Sequence, residues 1–498
     1  MTTTTTDPTA QSPSEPGAPP ATTPPPPPDA GAPFVPPIMP LPRRTARDRW
    51  QDLRAEGPLM MLSWAGFLSL LVAAVIQRWW FIFRMHDPKN FVWSDMAGYV
   101  DRGWRLAAPN ITLNRFDTFY PPGTHILMAP LFRLAGSKEK GMEYNQWLWW
   151  VLAFVTVWAV GFIALRLFRH PLAGALAMLG LMLHWPFTIF TGFFMSESPF
   201  ACFMALSLLV GLIAYDMDPA RPWRRAGVYA VAGLIAGMAA TIRPQFAIGA
   251  MFIGVPLLSL RFPFVRIREA VALALMFILP CVGAMRLNSH AAGIKMGMSG
   301  NAGFNFYQGH CDVVHVETHE KGGGSWYAFA APVRIQRVNN EGKPEKKVVI
   351  KGHMAWENDY FFDEGFKCIR EEGWKHLERI YTNVEDLFAP ADPWPPNSGR
   401  FAKISNWANK SYSHGLLFLL PFVVFLARYR RPERWLLIQL ATVLPVGFLF
   451  YGDSRYRVPY DMFGFIMLAG VIVAILGMRR DERWVPSVGW RKRARSVG

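Results

Sequence analysis

Apolar stretches long enough to cross a lipid bilayer recur along this 498-residue chain, and they constrain its fold more than any other feature. A transmembrane helix needs about 20 predominantly apolar residues, and only helices and closed barrels satisfy their backbone polar groups inside lipid. The sequence therefore predicts an all-α polytopic membrane protein with about ten transmembrane helices. The predicted spans cover residues 59–82, 144–168, 171–190, 195–215, 227–242, 245–260, 269–287, 413–427, 434–451 and 457–478.

Arginine and lysine are distributed along the chain as the positive-inside rule requires. If the N-terminus is cytoplasmic, the inside loops hold the arginines of 166–169, 221–225, 261–268 and 428–434, and the tail 479–498 is basic as well. This alternation predicts an even number of spans with both termini in the cytoplasm. It also accounts for the formal net charge of +16 without any nucleic-acid partner.

Composition divides the chain into membrane modules, outer segments and tails. Residues 1–42 contain fifteen of the 41 prolines and few apolar residues, which is typical of a disordered cytoplasmic tail. The first span follows a run of arginines and is interpreted as an uncleaved signal-anchor. The remaining predicted units are a membrane module over 43–287 with an outer loop 83–143, a small mixed α/β extracytoplasmic segment 288–412, the last membrane helices 413–478, and a basic cytoplasmic tail 479–498.

The four cysteines fall into two pairs. Cys202 and Cys281 lie inside predicted spans and are interpreted as packing residues. Cys311 and Cys368 lie in the outer segment, where an oxidising compartment would allow a disulfide between them. Two free, buried thiols are the alternative.

Histidines near the start of the outer segment suggest a metal site at first sight. The candidate ligands are His310, Cys311, Asp312, His315, Glu317 and His319. A zinc site needs three or four convergent ligands. Glycines on both sides of this stretch favour a loop, so we predict no metal site here.

Three arginines lie at the outer ends of predicted spans, where the positive-inside rule expects few cations. These are Arg243, Arg455 and Arg457. Ionisable residues at such positions face a cavity or an anionic ligand, or else extend to lipid headgroups. Because the guanidinium group recognises phosphate well, three arginines from different spans would form a plausible site for a lipid phosphate.

Several acidic residues lie on the same outer side. Asp95 follows the first span closely, Asp101 and Asp117 come later in the outer loop, and Glu197 lies where the fourth span begins. A carboxylate at the membrane surface can deprotonate an acceptor hydroxyl as a general base. Each acid also has a structural alternative, and for Asp95 this is the N-cap of a helix over 97–106.

Six motifs follow one another along the chain, at residues 93–99, 120–123, 196–199, 233–244, 299–309 and 454–459. Their order resembles that of the GT-C membrane glycosyltransferases, in particular the bacterial branch similar to protein O-mannosyltransferases and the lipid A aminoarabinose transferase. The resemblance covers about residues 55–478. It departs from the family at Asp95-Met96, where many relatives have two adjacent acids.

The resemblance implies an inverting glycosyltransferase that moves a hexosyl or pentosyl group from a polyprenyl-phosphate donor to a lipid, glycan or protein acceptor. Its active site would face the periplasm at the bacterial inner membrane. Asp95 would be the catalytic base, and Arg243, Arg455 and Arg457 would hold the donor phosphate. No metal ligand is assigned, although a divalent metal remains open as a cofactor. The other implied pocket residues are Tyr99, Asp117, Tyr120, His125, Glu197 and Tyr456.

Two other classes of function stay open. A polytopic secondary transporter would also have many spans and buried charges, but transporters place those charges at mid-membrane, often in repeated halves. Here the unusual charges lie at the outer ends of spans, and no repeat is visible. A catalytically silent scaffold with a GT-C-like fold is the other alternative, because a fold does not determine a function.

Overall fold

A computed structural model describes most of the chain, and the fold below is that of the described part. The proline-rich tail 1–42 and the basic tail 479–498, both predicted from composition, lie outside it. The described residues are 57–110, 113–218, 220–253, 267–311, 333–338, 344–350, 355–389, 400–429 and 431–478.

The described residues form α-helices of very different lengths. The helices up to the second outer segment are α1 (Pro58–Trp80), α2 (Ser94–Ala107), α3 (Gly123–Ala135), α4 (Lys138–Phe168), α5 (Pro171–Leu183), α6 (Trp185–Phe190), α7 (Glu197–Asp216), α8 (Pro222–Ile242), α9 (Phe246–Met251) and α10 (Ile267–Ala292). Those that follow are α11 (Ala302–His310), α12 (Asn358–Glu372), α13 (His376–Phe388), α14 (Arg400–Tyr429), α15 (Arg431–Ala441), α16 (Leu444–Leu449), α17 (Ser454–Arg457) and α18 (Asp461–Ile475).

Seven of these helical segments are long and apolar enough to cross a membrane, so the chain is a multi-pass membrane protein. They coincide with seven of the ten predicted spans. Two other predicted spans, 171–190 and 434–451, are each divided into two shorter helices. The span predicted at 245–260 runs into residues outside the described part. The count of ten therefore stays a prediction. The seven segments are Pro58–Met85, Lys138–Phe168, Glu197–Asp216, Pro222–Ile242, Ile267–Ala292, Lys403–Ala427 and Ser454–Ile475.

The burial of these segments separates an inner group of helices from an outer one. About two thirds of the most apolar window is buried in α4, α7, α8 and the last span, but only 11 to 22% in α1, α10 and α14. The outer helices expose apolar side chains such as Leu68, Leu275 and Phe418. A contiguous apolar surface of this kind is unfavourable in water and suits the lipid hydrocarbon.

Close contacts hold α8 against α10, and ion pairs lie at the helix ends opposite to the outer segments. Gly233 and Gly237 on α8 lie against the α10 backbone, where any Cβ would clash. Small residues allow such close approach of membrane helices. At the ends of these helices, Arg225 pairs with Glu269 at 3.4 Å. A similar ion pair links the ends of α4 and α7.

The second outer segment contains helices, a pair of strands and a disulfide. Strands β1 (Val333–Val338) and β2 (Pro344–Ile350) pair antiparallel, with Val333 opposite Ile350. A disulfide joins Cys311, just after α11, to Cys368 on α12, with the two Cα atoms 5.4 Å apart. The two helices α12 and α13 follow the strands. The mixed α/β unit as a whole stays a prediction, because much of the chain around the strands lies outside the described part.

Candidate active site

Four ionisable residues from separate segments meet at one end of the helical bundle, and we call them the charge cluster. Asp95 follows the first span, Glu197 is the first residue of α7, Arg243 directly follows α8, and Arg455 lies in α17. The first span and α8 end at this level, whereas α7 and α17 begin there. The alternating direction of the helices therefore brings distant parts of the sequence together.

Asp95 lies in the first turn of α2, and its carboxylate belongs to the charge cluster rather than to a helix cap. The N-cap residue is Trp93, and no side chain caps the helix. Ser94 has a φ of 50°, a left-handed conformation that residues other than glycine seldom adopt and that is enriched at functional sites. Oδ1 of Asp95 accepts a hydrogen bond from the Tyr120 hydroxyl, and Oδ2 accepts one from Nη1 of Arg455 at 3.0 Å.

Tyr120 owes its position to the Pro-Pro-Gly sequence that follows it. A Cβ at Gly123 would stand 2.6 Å from the backbone of Thr241, so glycine allows α3 to begin directly against the end of α8. The ring of Tyr99 packs against Tyr120 with 4.8 Å between ring centres. Burial, followed by the charge of Asp95, raises the pKa of Tyr120 well above its usual value. Its hydroxyl therefore stays protonated and donates to the carboxylate.

Glu197 holds the two arginines of the charge cluster together. Nε of Arg455 donates to Oε1 of Glu197, and Nη2 of Arg243 donates to the same oxygen at 2.5 Å. Nε of Arg243 also donates to the Ser196 hydroxyl at 3.2 Å, and its guanidinium carbon lies 5.3 Å from the ring centre of Tyr456. Arg243 is thus fixed from several sides, whereas Arg455 bridges Glu197 and the carboxylate on α2.

The members of the charge cluster differ in how far a ligand could reach them. The side chains of Asp95 and Arg455 are 18% and 14% exposed, and those of Arg243 and Glu197 are 7% and 1% exposed. Two carboxylates and two guanidinium groups cancel in formal charge, which is the arrangement that buried charges require. A ligand that approaches the cluster therefore meets Asp95 and Arg455 first.

Arg457, the third arginine predicted to hold phosphate, lies in a different network. Its side chain is 0% exposed, and its Nε donates to Oδ1 of Asp461 at 2.9 Å. It also donates to Asn409 and, at 3.0 Å, to Ser413, both on α14. His184 contacts the other oxygen of Asp461 at 2.8 Å. These contacts join α14, α17 and α18, so the structure gives Arg457 a place in helix packing and not in the charge cluster.

Asp117 and His125, two other predicted pocket residues, support the outer loop behind Tyr120. Asp117 closes a capping box and pairs with Arg102 and Arg105. The guanidinium carbon of Arg102 lies 4.7 Å from the ring centre of Tyr120. Burial, followed by the charges of the two arginines, lowers the pKa of His125 to about 3, so its imidazole is neutral. Asp117 therefore supports Tyr120 through Arg102, and His125 is buried near the same two arginines.

Three side chains that are not among the predicted pocket residues also border the charge cluster, namely Ser196, Tyr451 and Asp453. Ser196 binds one of the arginines, as described above. The Tyr456 hydroxyl donates to the Tyr451 hydroxyl at 2.8 Å. Asp453 caps α17 and accepts a hydrogen bond from the backbone N–H of Arg455 at 2.8 Å. An aspartate just before a short helix is a recognisable cap signal, but nothing in the sequence places Tyr451 beside the predicted pocket residue Tyr456.

The described residues contain no group of three or more histidine, cysteine, aspartate or glutamate side chains that could hold a metal ion. In the charge cluster, Arg455 pairs with both carboxylates. Two carboxylates that are already paired with a guanidinium group are poor ligands for a divalent cation. Asp312, His315, Glu317 and His319 lie outside the described part.

The fold and the charge cluster define a multi-pass membrane protein with a carboxylate and arginine site at one end of its helices. No protein-family model matches the sequence, and no curated protein matches it. Among solved structures, the chain is similar to the oligosaccharyltransferase AglB from Archaeoglobus fulgidus, in complex with an inhibitory peptide and a dolichol-phosphate. The identity is 15%, the TM-score is 0.47, and the match covers 83% of this chain and 51% of that one. The chain thus spans about half the length of the archaeal protein.

The chain is also similar to ArnT from Cupriavidus metallidurans. For the apo state the identity is 16% and the TM-score 0.43, with 82% of this chain and 60% of that chain covered. For the structure bound to undecaprenyl phosphate the identity is 15% and the TM-score 0.36, with 83% of this chain and 78% of that chain covered. AglB and ArnT are both GT-C glycosyltransferases.

Proposed function

We propose that this protein is an inverting glycosyltransferase that moves a sugar from a polyprenyl-phosphate donor to an acceptor hydroxyl. The observation that carries the proposal is the contact of Asp95 with Arg455 in a charge cluster at the end of the membrane helices. A carboxylate that can accept a proton and a guanidinium that can bind a phosphate lie side by side there. The sequence resemblance to GT-C enzymes supplies the class of donor.

Asp95 is the catalytic base in this proposal. The acceptor oxygen attacks the anomeric carbon while Asp95 takes up the hydroxyl proton. The bond between that carbon and the phosphate oxygen breaks, and the bonding pair leaves with the phosphate. A single displacement from the opposite face inverts the configuration at the anomeric carbon. Tyr120 keeps its hydrogen bond to Oδ1 of Asp95, so Oδ2 is the oxygen that receives the proton.

Arg455 stabilises the phosphate that leaves. Phosphate is already a good leaving group, so the site needs positive charge for the departing anion more than it needs a general acid. Arg455 is the more exposed arginine of the cluster and already contacts Oδ2 of Asp95. When a phosphate oxygen takes the place of Oδ2 as its acceptor, the carboxylate becomes available as a base. Arg243 supports this exchange through Glu197, which holds both arginines.

The proposed location is the periplasmic face of the bacterial inner membrane, with ten spans and both termini in the cytoplasm. Basic loops cluster at one end of the predicted spans, whereas the charge cluster lies where the first span ends. The transferred group is a hexosyl or pentosyl sugar, and the acceptor is a lipid, a glycan or a protein. No step in the mechanism requires a metal.

The decisive experiment is a transfer assay with a panel of polyprenyl-phosphate sugars as donors and membrane extracts as acceptors. Asp95→Asn should abolish transfer while expression and membrane insertion stay at the wild-type level. Arg243→Ala should weaken donor use. The matched control is Asp101→Asn, because Asp101 lies on the same helix but pairs with Lys138 near the surface. Wild-type transfer by Asp95→Asn would disprove the assigned role.

The same assay separates the proposal from the two alternatives. A catalytically silent scaffold would transfer no sugar from any donor in the panel. A secondary transporter would take up a solute in proteoliposomes without altering it. The charge cluster argues against transport, because its members lie at the ends of helices and not at a break in mid-membrane.

A further inference from the structure

One face of α13 exposes apolar side chains on the same side of the molecule as the charge cluster. Leu377 and Tyr381 are 55% and 69% exposed. Val384 completes this face, because residues four and three positions apart lie on one side of a helix. Trp374, in the turn that precedes α13, is exposed as well. We call Trp374, Leu377 and Tyr381 the α13 apolar face.

Helix α13 lies along the end of the helical bundle instead of projecting away from it. Near its C-terminal end, Leu387 packs against Gly447 in α16. Near its N-terminal end, His376 bonds to His310 at 2.8 Å, and α11, which ends at His310, packs against Phe450. The two contact points lie about 16 Å apart along α13 at 1.5 Å per residue. Both ends of the helix are thus held at the level where α16 ends.

The α13 apolar face borders a surface that faces lipid. Val384 contacts Gly447, and the next two residues of α16, Phe448 and Leu449, are exposed. They belong to a stretch that the sequence predicts to be within the membrane. From these residues the apolar surface continues across Val384 to Leu377 and Tyr381.

The neighbouring face of α13 has the opposite character. Glu378, Thr382 and Glu385 follow each other at helical spacing, and all three are exposed. A helix with aromatic and leucine side chains on one face and acids on the next is suited to the boundary between lipid headgroups and water.

We propose that α13 is an interfacial helix and that the α13 apolar face lies in the headgroup region of the lipid leaflet next to the charge cluster. The opposite face of α13 contacts the segment that carries Arg455. The Asn383 amide donates to the carbonyl of Gly309 at 2.9 Å, and its backbone packs against Gly452. Lipid contact on one face of α13 therefore fixes the level of Arg455 relative to the bilayer. This inference goes beyond the proposed function and does not depend on it.

Spin-label accessibility in lipid nanodiscs tests the proposal. The full-length chain, with buried Cys202 and Cys281 changed to Ala and the disulfide retained, receives one new cysteine at a time. Leu377→Cys and Tyr381→Cys sample the apolar face. Thr382→Cys is the matched control on the neighbouring face of the same helix, because Thr382 is exposed and lies one position from Tyr381 and five from Leu377. Collisions of each label are measured with oxygen, which concentrates in lipid, and with a water-soluble nickel chelate.

The expected result is a ratio of oxygen to nickel accessibility several-fold higher at positions 377 and 381 than at position 382. Equal ratios at the three positions would overturn the proposal. Labels at 377 and 381 that are shielded from both reagents and coupled between copies would also overturn it, since the face would then be a protein interface. Trp374→Cys gives a third reading if one labelled variant does not fold. A transferase assay on the same samples is independent, so loss of the proposed function and loss of lipid contact are distinguishable.

Discussion

The contact of Asp95 with Arg455 predicts that a catalytically dead variant binds the lipid phosphate more tightly than the wild type does. In the proposed mechanism, a phosphate oxygen and Oδ2 of Asp95 compete for the same guanidinium group. Asp95→Asn removes the negative charge that competes, while the neutral amide still fits the space. The variant should therefore lose transfer and gain affinity for polyprenyl phosphate.

The magnitude follows from the geometry of the pair. Two unit charges about 4 Å apart interact with about 4 kcal/mol at the effective dielectric constant near a protein surface. Exposed ion pairs contribute only about 0 to 1 kcal/mol, because water screens them. Arg455 and Asp95 are 14% and 18% exposed, which lies between these limits. We expect a gain of about 1 to 2 kcal/mol, equivalent to roughly a 5- to 30-fold tighter dissociation constant.

The assay is equilibrium binding of undecaprenyl phosphate to purified protein in nanodiscs, at one fixed salt concentration. Four proteins form a double-mutant cycle: the wild type, Asp95→Asn, Arg455→Gln and the double variant. Such a cycle isolates the coupling between two residues from their separate effects. Asp101→Asn is the control, because it removes a carboxylate from the same helix at a more exposed position.

Competition for Arg455 and simple charge repulsion give different results in this cycle. If the two anions compete for Arg455, Asp95→Asn tightens binding in the wild type but not in the Arg455→Gln background. If Asp95 merely repels phosphate through space, the gain appears equally in both backgrounds. Equal gains, or weaker binding by Asp95→Asn, would refute the exchange at Arg455.

Three further predictions concern stability. Arg457→Met should destabilise the protein by about 3 to 5 kcal/mol, because it leaves Asp461 buried without its main cation. A thermal unfolding scan in detergent measures this loss, and the affinity for polyprenyl phosphate should stay unchanged. Changing Cys311 and Cys368 together to Ser should cost up to about 4 kcal/mol, the chain-entropy value for a loop closed over 57 residues; an unchanged unfolding midpoint would contradict it. Burial, followed by the nearby histidine, lowers the pKa of His310 to about 4. Between about pH 6.5 and 4, the unfolded chain therefore binds more protons at this histidine than the folded chain does. The thermal unfolding midpoint of the wild type should fall as the pH is lowered through that window, and the midpoint of His310→Gln should not.

The membrane architecture could be predicted from the sequence because its signal is local. Twenty apolar residues in a row specify a span whatever lies around them, as in α1 and α4. The positions of breaks within apolar stretches were harder to predict. Residues 171–190 and 434–451 are each mostly apolar, yet each stretch is two helices in the structure. Pro186 and Pro445 stand just inside the second helix of each pair, where proline favours a helix start.

The charge cluster shows where prediction of a site from sequence reaches its limit. Arg455 and Arg457 look equivalent in the sequence, since both are cations at the outer start of the last span. Positions two apart on a helix point to different sides, so only one of them can face Asp95. Nothing local says which one it is. That choice depends on how α17 packs against α14 and α7, and the structure directs Arg455 to Glu197 and Arg457 to Asp461.

Asp117 illustrates the opposite situation, in which a local signal was present and pointed to structure. Asn114 lies three residues before Asp117, which is the spacing of a capping box, and the structure contains that box. An acid at such a position already satisfies backbone N–H groups at the start of a helix. It is therefore a weaker candidate for catalysis than Asp95, which caps nothing.

The charges of the cluster also account for why one arginine suffices for the phosphate in the proposed reaction. A sugar esterified to a polyprenyl phosphate carries one negative charge, and the cluster itself is neutral. As the sugar leaves, the phosphate gains a second negative charge while Asp95 loses its own by taking up the acceptor proton. The total charge of the site is therefore constant through the chemical step, and negative charge only moves from Asp95 to the phosphate. Arg455, which contacts Asp95 and would contact the phosphate, lies where both charges can act on it. The ion pair of Arg455 with Asp95 is thus replaced by an ion pair with the phosphate. The buried ion pair between Glu197 and Arg243 need not rearrange.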